Sequence, residues 1–273
     1  MTSYDIYLIA PQLAMAAIGL IVIVFDLVFR RSKLLPVIAF VGLLAPIGLT
    51  LIQLRDLSVS DSSGLVRQSS VFHGSLMVDQ FSLFFNVLIL IVTGLVILSS
   101  NDYLSRMDRN RAEYFGLILL SATGMLLLVG ATELITIYIA LELTTLPLIA
   151  LSSMLFTAKS TEAGMKFLVI GALSSAVMLY GMTLIFGFTG STTLSGISDA
   201  LALAHNSDIP FGSYAVLVGM LLLIVGFGFK LSAVPYQMWV PDVYEGAPTP
   251  VVTFLSVASK SAAFALVLRV LCS

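Results

Sequence analysis

Charged residues and cysteine are scarce in this sequence of 273 residues, and each scarcity excludes a class of protein. Only 10% of the residues are charged and 59% are hydrophobic, which leaves too little polar surface to cover a water-soluble body of this length. The formal net charge of -2 lacks the positive excess of a protein that binds nucleic acid. A single cysteine, Cys272, excludes a disulfide framework and a cysteine metal cluster. The composition therefore predicts a polytopic membrane protein.

Motifs for cofactors and nucleotides are also missing. The sequence has no Walker loop, no dinucleotide fingerprint and no set of residues spaced to bind a metal or haem. Its two histidines, His73 and His205, fall in predicted loops. We expect no cleavable signal peptide, because the first apolar segment lacks a basic flank and is long enough to span a membrane. The sequence therefore contains no motif that indicates an energy source.

Eight apolar runs of roughly 20 residues are each long enough to cross about 30 Å of hydrocarbon as a helix. They predict an all-α fold, a transmembrane bundle of about eight helices. The predicted spans are residues 6–27, 34–54, 80–100, 115–131, 133–154, 163–187, 213–234 and 251–271.

The loops between these spans differ in their basic residues, and the richer side is expected in the cytoplasm. Seven basic residues fall in the loops of one side and two in those of the other. We therefore predict that both the N-terminus and the end of the eighth span lie on the outer side. The seven are Arg30, Arg31, Lys33, Arg106, Arg109, Arg111 and Lys159, and the two are Arg55 and Arg67.

The stretch 226–252, GFGFKLSAVPYQMWVPDVYEGAPTPVV, predicts a broken seventh helix with Lys230 at the break. Proline removes a backbone donor and kinks or ends a helix, and this stretch has four prolines. Free backbone groups inside a membrane persist only where they are buried in protein or line a wet cavity. A lysine at such a break is typical of an ion path. The alternative is that Lys230 only caps the carbonyl end of a helix.

Four ionisable residues fall one per helix on the last four spans: Glu142, Lys166, Lys230 and Lys260. An unpaired charge inside the membrane costs about 2.5–3.5 kcal/mol of insertion free energy, so such a residue indicates a functional site. A row of protonatable groups near the middle of the membrane indicates an ion translocator. Its partners would be protons and the lipid bilayer.

Glu142 has no basic residue in its own span, and Lys166 is predicted to pair with it because small residues on the sixth span let another helix approach. Two alternatives stay open. Glu142 is protonated and hydrogen-bonded to Thr144 or Thr145, or Lys166 reaches the cytoplasmic interface with its long side chain.

Lys260 lies about nine residues into the last span, too deep to reach the interface easily. Three serines surround it in the sequence, Ser256, Ser259 and Ser261. Hydroxyls both donate and accept hydrogen bonds, so these serines are predicted to form a hydrated relay around the ammonium.

Three further charges have structural explanations. Asp26 and Arg269 lie close enough to span ends to reach the interface. Glu133 begins the fifth helix after Thr132, where a carboxylate complements the helix dipole and the hydroxyl can cap the helix.

The run 234–264, VPYQMWVPDVYEGAPTPVVTFLSVASKSAAF, closely resembles the signature of the subunit N family. Subunit N belongs to proton-translocating NADH:quinone oxidoreductase, respiratory complex I, and is the bacterial counterpart of mitochondrial ND subunit 2. Further matches are LELTTLPLIAL at 141–151, EAGMKFLVIGALSSA at 162–176 and LYGMTLIFGFTGSTTL at 179–194. Together these motifs cover most of residues 101–271, whereas the first three spans fit by position and hydropathy.

The resemblance implies a role in proton translocation for four residues. Glu142 matches the family's glutamate on the fifth helix, Lys166 its lysine on the sixth, Lys230 the lysine of the broken seventh and Lys260 the lysine of the eighth. Gln237 departs from the pattern, because many relatives have histidine there. An amide cannot carry charge in this pH range, so Gln237 receives no role as a proton relay.

The resemblance also implies an architecture and an environment. Residues 1–112 would form three leading transmembrane helices, residues 113–273 the first five-helix antiporter-like repeat, and the second repeat is absent from this sequence. The expected location is the cell inner (plasma) membrane, beside M-like and K/J-like membrane subunits. NAD, FMN, iron–sulfur clusters and quinone would bind other subunits, with no cofactor on this chain.

Two other functions remain open from the sequence. One is a subunit of a multisubunit cation/proton antiporter or of a membrane-bound hydrogenase, which shares the helices and the lysines. The other is a membrane scaffold without transport activity, in which the buried lysines would be replaceable.

Overall fold

The computed structural model is helical over most of the chain that it describes. The described residues are 3–29, 34–61, 69–104, 111–205 and 210–272. Within them, eight segments are long and apolar enough to cross a membrane, which confirms the predicted number of spans. These segments are Ala10–Phe29, Leu35–Leu57, Gln80–Asn101, Arg111–Gly130, Leu134–Ser152, Ala158–Thr189, Tyr214–Gly246 and Thr249–Leu271.

The helix bounds differ from the span bounds for two reasons. Some spans are interrupted and contain more than one helix, and some helices extend beyond their span. Their bounds are α1 Ser3–Leu8, α2 Ala10–Phe29, α3 Leu35–Gly42, α4 Leu44–Asp61, α5 Gln80–Leu104, α6 Arg111–Gly130, α7 Leu134–Ser152, α8 Ala158–Thr189, α9 Leu194–His205, α10 Pro210–Leu231, α11 Trp239–Gly246, α12 Thr249–Phe254 and α13 Lys260–Cys272.

A short β-hairpin interrupts the helical pattern before α5. Strands β1 (Ser69–Val71) and β2 (Leu76–Val78) pair antiparallel around a 3-10 turn. The Thr132 amide donates to the Ser75 carbonyl at 3.0 Å, and the Leu194 amide donates to the Thr132 carbonyl at 2.9 Å. The hairpin, the α6–α7 loop and the α8–α9 loop therefore meet on one face of the bundle. We call this meeting point the hairpin junction.

Helix α6 lies at the centre of the bundle and is buried along most of its length. It packs tightly against α7, since a Cβ atom added to Gly124 would lie only 2.6 Å from the backbone nitrogen of Thr144. The Ser121 hydroxyl on α6 also donates to the Thr144 carbonyl at 2.9 Å. These two contacts fix the middle of α7, the segment that carries Glu142.

Helices α8 and α10 approach each other through glycine, as the small residues of the sixth span predict. A Cβ atom added to Gly181 would lie 2.7 Å from the Gly219 carbonyl oxygen, so the contact leaves no room for a larger residue at this point. This packing brings the inner face of α8 against the end of α10.

The seventh span is broken where the sequence predicts. Helix α10 ends at Leu231, and Ser232 takes a left-handed backbone conformation with φ of +58°. The Ala233 amide donates back to the Gly228 carbonyl at 2.8 Å, and a 3-10 turn then leads into α11. The eighth span carries a second irregularity, a π-helical turn at Leu255–Ser259 that ends directly before Lys260. Such turns are frequent at functional sites.

The basic residues that predict orientation fall only partly within the described chain. Arg55, Arg111 and Lys159 belong to the described part of the chain. The others lie outside the described residues: Arg30, Arg31, Lys33, Arg67, Arg106 and Arg109.

Candidate functional site

The structure brings three of the four predicted site residues to the place where α7, α8, α10 and α13 meet. Glu142 on α7 accepts a hydrogen bond from the Ser175 hydroxyl on α8. The alternative in which Thr144 or Thr145 holds the carboxyl is wrong. Both threonines donate instead to carbonyls of their own helix, those of Ala140 and Leu141.

Lys230 lies in the last turn of α10 and is 9% exposed. Its ammonium donates to the Thr145 hydroxyl oxygen, one helical turn from Glu142 on α7. A cavity of about 20 Å³ separates the α7, α8 and α10 side chains here, and Thr145, Ser175 and Lys230 are among its lining residues. That volume is enough for one water molecule. Two hydroxyl groups and a small, mainly apolar cavity thus lie between the carboxylate and the ammonium.

Lys260 contacts the break in the seventh span. Its ammonium donates to the Lys230 carbonyl oxygen at 2.9 Å and to the Ser232 hydroxyl. The last carbonyls of a helix lack an intrahelical partner, so the end of α10 supplies an oxygen that a continuous helix would have used. The broken helix and the lysine of the next span are therefore coupled directly.

Two of the three serines predicted to form a relay around Lys260 make other hydrogen bonds, and the role of Ser259 stays a prediction. Ser256 and Ser261 donate to backbone carbonyls of their own span, those of Thr253 at 3.0 Å and Val257 at 2.8 Å. Along a helix, neighbours in sequence point to different sides, and the hydroxyl that meets Lys260 comes from Ser232 in the break.

All the described partners of Lys230 and Lys260 are electrically neutral. Within the residues that the structure describes, neither lysine lies within ion-pair distance of a carboxylate. An ammonium taken out of water without a counter-ion keeps little of its hydration free energy. We name Glu142, Thr145, Ser175, Lys230, Ser232 and Lys260 the polar row.

Lys166 does not join the polar row, and its predicted pairing with Glu142 is wrong. Its ammonium lies 2.8 Å from Glu162 Oε1 and 2.8 Å from Asp242 Oδ2, on a side chain that is 41% exposed. Ser175, which does contact Glu142, lies nine residues further along α8, about 13 Å at helical rise. The alternative, that Lys166 reaches an exposed position near the span end, is the one that fits.

Of the two charges assigned to the interface at span ends, one differs from expectation. Arg269 does not reach the interface: it is 6% exposed, its Nε donates to the Val129 carbonyl at 2.9 Å and its guanidinium pairs with Asp79 at 2.9 Å. Asp26 is partly buried near the end of α2, and its role at the interface stays a prediction.

Glu133 precedes α7 but makes no side-chain capping bond to it. Thr132 donates to the Gly74 carbonyl at 2.6 Å in place of capping the helix. The Ser75 side chain, ahead of hydrogen bonds from Thr192 and Thr136, holds the pKa of Glu133 below its ordinary value. This carboxylate therefore belongs to the hairpin junction.

Sequence reasoning missed the hydroxyls of Thr145, Ser175 and Ser232 as partners, and it missed Trp239 beside Lys260. Ser232 carries a weak signal, because it follows Lys230 by two residues at a predicted helix break. Thr145 and Ser175 carry none, since their contacts join residues 85 and 33 positions apart.

An eight-span helical bundle with a broken seventh span and ionisable groups at the break defines the antiporter-like class of membrane domains. A family model described as "NADH:quinone oxidoreductase/Mrp antiporter, TM" matches residues 131–273. The chain belongs to this family.

Relatives are similar over nearly the whole chain. "NADH-quinone oxidoreductase subunit N" of Desulforamulus reducens is 38% identical over 269 residues, which are 97% of this chain and 53% of the relative. The protein of the same name from Moorella thermoacetica is 39% identical over 267 residues, again 97% of this chain and 53% of the relative. The chain thus spans about half the length of the curated relatives it matches.

Solved structures have the same fold. A chain of respiratory complex I from Thermus thermophilus with bound aureothin is 28% identical, with a TM-score of 0.75, over 95% of this chain and 52% of that chain. A chain of an archaeal membrane-bound sulfane sulfur reductase is 22% identical, with a TM-score of 0.78, over 97% of this chain and 52% of that one. The second likeness concerns the fold alone.

Proposed function

We propose that this chain is a membrane subunit of NADH:quinone oxidoreductase and that it moves protons through Glu142, Lys230 and Lys260. Redox energy would arrive from other subunits of the complex. The observation that carries the proposal is the polar row, in which a carboxylate, a buried ammonium group and a partly buried one have neutral oxygens as their hydrogen-bond partners among the described residues. The similarity to proteins named subunit N supports the same function.

The first step of the path joins Glu142 and Lys230. Ser175 contacts the carboxylate, Thr145 contacts the ammonium, and the cavity between them has room for a water molecule. A hydroxyl both donates and accepts, so it can pass a proton along a chain of hydrogen bonds. A proton can therefore travel between the two ionisable groups once the Thr145 hydroxyl turns from the Leu141 carbonyl toward the cavity, without a large movement of the helices.

The second step joins Lys230 and Lys260. The Lys260 ammonium binds the carbonyl of Lys230 itself, so both side chains depend on the same broken helix end. Two positive charges so close in an apolar interior repel each other strongly. Protonation of one lysine then favours release of the proton from the other, which gives the transfer a direction when the energy input changes either group.

Lys166 is the fourth predicted site residue, and we propose a different part for it. Its exposed ion pairs with Glu162 and Asp242 link α8 to α11 and support a position at the edge of the path. It would therefore act on the path through the position of α11 and not by exchanging a proton with Glu142.

The same proposal includes the membrane, the orientation and the neighbouring subunits of the chain. We infer that it lies in the plasma membrane with the N-terminus outside, beside M-like and K/J-like subunits, and that NAD, FMN, iron–sulfur clusters and quinone bind other subunits. Residues 1–112 would be the leading helices and 113–273 the first antiporter-like repeat. Labelling of single cysteines placed in 106–111 and 56–74 from each side of intact cells tests the orientation, and an inverted pattern refutes it.

The test of the function is Glu142→Gln, which keeps the shape of the side chain but removes its proton-binding carboxylate. In membrane vesicles carrying the assembled complex, we expect NADH-driven proton pumping to fall severely while the complex still assembles. Glu113→Gln is the matched control, because Glu113 is exposed in the first turn of α6. Pumping at the wild-type level in Glu142→Gln would refute the proposal.

A subunit of a multisubunit cation/proton antiporter is the second candidate, because the matching family model covers Mrp antiporters as well. The two functions differ in their driving force. A chain of the oxidoreductase pumps protons when NADH is supplied, whereas an antiporter subunit exchanges protons against a cation gradient without NADH. Vesicles that acidify only under an imposed sodium gradient would favour the antiporter.

A further inference from the structure

We propose that Trp239 is a positioning residue, whose ring holds the Lys260 ammonium on the carbonyl of Lys230. The contact itself is a matter of geometry, while its effect on proton transfer rests on the proposed function. The polar row alone assigns no role to Trp239, because the indole carries no charge and is not one of the hydrogen-bonding groups of the row.

The Lys260 ammonium lies between oxygens and an aromatic face. Lys230 and Ser232 supply oxygen acceptors, and the Nζ atom lies 4.9 Å from the centroid of the Trp239 ring. A cation within about 6 Å of an indole face is attracted by the ring quadrupole, and tryptophan is the strongest of the aromatic residues in this respect. Trp239 is 2% exposed, so water weakens the attraction little.

The ring cannot turn away from this position. Phe167 on α8 stacks on it at 4.6 Å between centroids with an interplanar angle of 5°, and Phe229 on α10 packs at 5.2 Å and 40°. Phe229 directly precedes Lys230 in the chain. The indole is thus fixed by the helix that supplies the carbonyl acceptor and by the helix that supplies Ser175.

Helix α11, which begins at Trp239, is in turn held against α8. A Cβ atom added to Gly246 would lie 2.8 Å from the Lys159 carbonyl oxygen, so the two helices are in close contact at that end. Lys159 pairs with Glu245, and Lys166 pairs with Asp242. Exposed ion pairs contribute little free energy each, and the buried aromatic stack is the stronger restraint.

The indole N–H has no part in the contact with Lys260. Trp239 Nε1 and Gln237 Oε1 are buried and have no hydrogen-bond partner among the residues that the structure describes. The face of the ring is therefore what the ammonium meets. A phenyl ring supplies such a face without an N–H, whereas an aliphatic side chain supplies neither.

Fluorescence tests the contact directly, because Trp239 is the single tryptophan of the chain. We would record the emission of the full chain in lipid nanodiscs for the wild type, Lys260→Met and Lys260→Arg. Removal of the positive charge should shift the emission, and arginine should keep the wild-type spectrum because it retains a cation above the ring. Arg55→Met, which removes an exposed positive charge on α4, is the control and should leave the spectrum unchanged. An unchanged spectrum in Lys260→Met overturns the inference.

Pumping tests the consequence. Trp239→Leu should lower NADH-driven proton pumping by about two- to thirty-fold, the range of populations that a cation–π contact controls. Trp239→Phe should keep most of it, and quinone reduction and assembly are measured alongside. If leucine pumps like the wild type, or phenylalanine pumps as poorly as leucine, the inference fails. Lys260→Met distinguishes failure of the proposed function from failure of the Trp239 contact. Full pumping in that variant refutes the proposed function, whereas its fluorescence spectrum decides whether the contact exists.

Discussion

Two buried cationic centres in this chain differ in their partners. Arg269 on α13 is held by the Asp79 carboxylate and the Val129 carbonyl, and it lies 5.3 Å from the centroid of the Phe81 ring. Among the described residues, Lys230 and Lys260 are held by hydroxyls, a carbonyl and an aromatic face. Arg269 and Lys230 are similarly buried, at 6% and 9% exposure, so depth alone does not tell the two centres apart.

The difference lies in what happens when the charge changes. A guanidinium stays protonated under all ordinary conditions, and its paired carboxylate compensates it permanently. An ammonium with neutral partners can lose its proton without leaving a buried carboxylate behind. The arginine centre therefore ties α5, α6 and α13 together, and the lysine centre is suited to transfer.

The largest expected effect is on stability at the arginine centre. Asp79→Asn keeps an oxygen for the Ser82 amide but removes the charge that faces Arg269. Removing one partner of a buried ion pair costs about 3–5 kcal/mol, and we expect about 3 kcal/mol because the amide still accepts a hydrogen bond. Chemical unfolding of the chain in detergent measures this loss. If Asp79→Asn instead lowered pumping per assembled complex and left the stability unchanged, the arginine centre would also take part in proton transfer, and the proposed difference between the two centres would be wrong.

A smaller effect is expected at the lysine centre from Thr145→Val, which keeps the side-chain shape and removes the acceptor of Lys230. Leaving a buried donor unsatisfied costs about 1–3 kcal/mol, so pumping should fall roughly tenfold. Thr145→Ser restores the hydroxyl and serves as the control. Recovery of pumping with serine would confirm that the hydroxyl holds Lys230, and pumping by the valine variant equal to that of the serine variant would contradict it.

The smallest effect concerns Glu133 at the hairpin junction, a charged group outside the spans. Its pKa is lowered in the folded chain by the Ser75 side chain and hydrogen bonds from threonines. The stability it contributes is present above the ordinary carboxyl pKa and is lost as the pH falls through the lowered value. The difference in thermal midpoint between the wild type and Glu133→Gln should therefore shrink from pH 7 to about pH 3. A difference that is equal at both pH values contradicts this.

The spans and the broken helix could be predicted from the sequence because both depend on local physics. Apolar runs of sufficient length must form helices in a bilayer, and glycine and proline around Lys230 must interrupt one. The hairpin β1–β2 was missed, since strands of three residues leave almost no periodicity to detect.

The partners of the charges could not be predicted, because they depend on which helix faces meet. Glu142 and Lys166 are near in sequence, yet they lie at different heights of α7 and α8. Arg269 finds its carboxylate 190 positions away, and Lys230 its hydroxyl 85 positions away. Sequence distance is no guide to such contacts, whereas helix breaks and single deep charges are visible directly.

The decisive measurement is the ratio of protons pumped to electrons transferred in Lys230→Arg, determined in membrane vesicles with the assembled complex. Arginine keeps the positive charge that a purely structural cap at the end of α10 requires, but it cannot release a proton. Lys230→Ala and the rate of quinone reduction are recorded in parallel. If Lys230 transfers protons, both variants reduce quinone with a strongly lowered proton ratio. A wild-type ratio in Lys230→Arg would leave only the capping role and contradict proton transfer through this lysine.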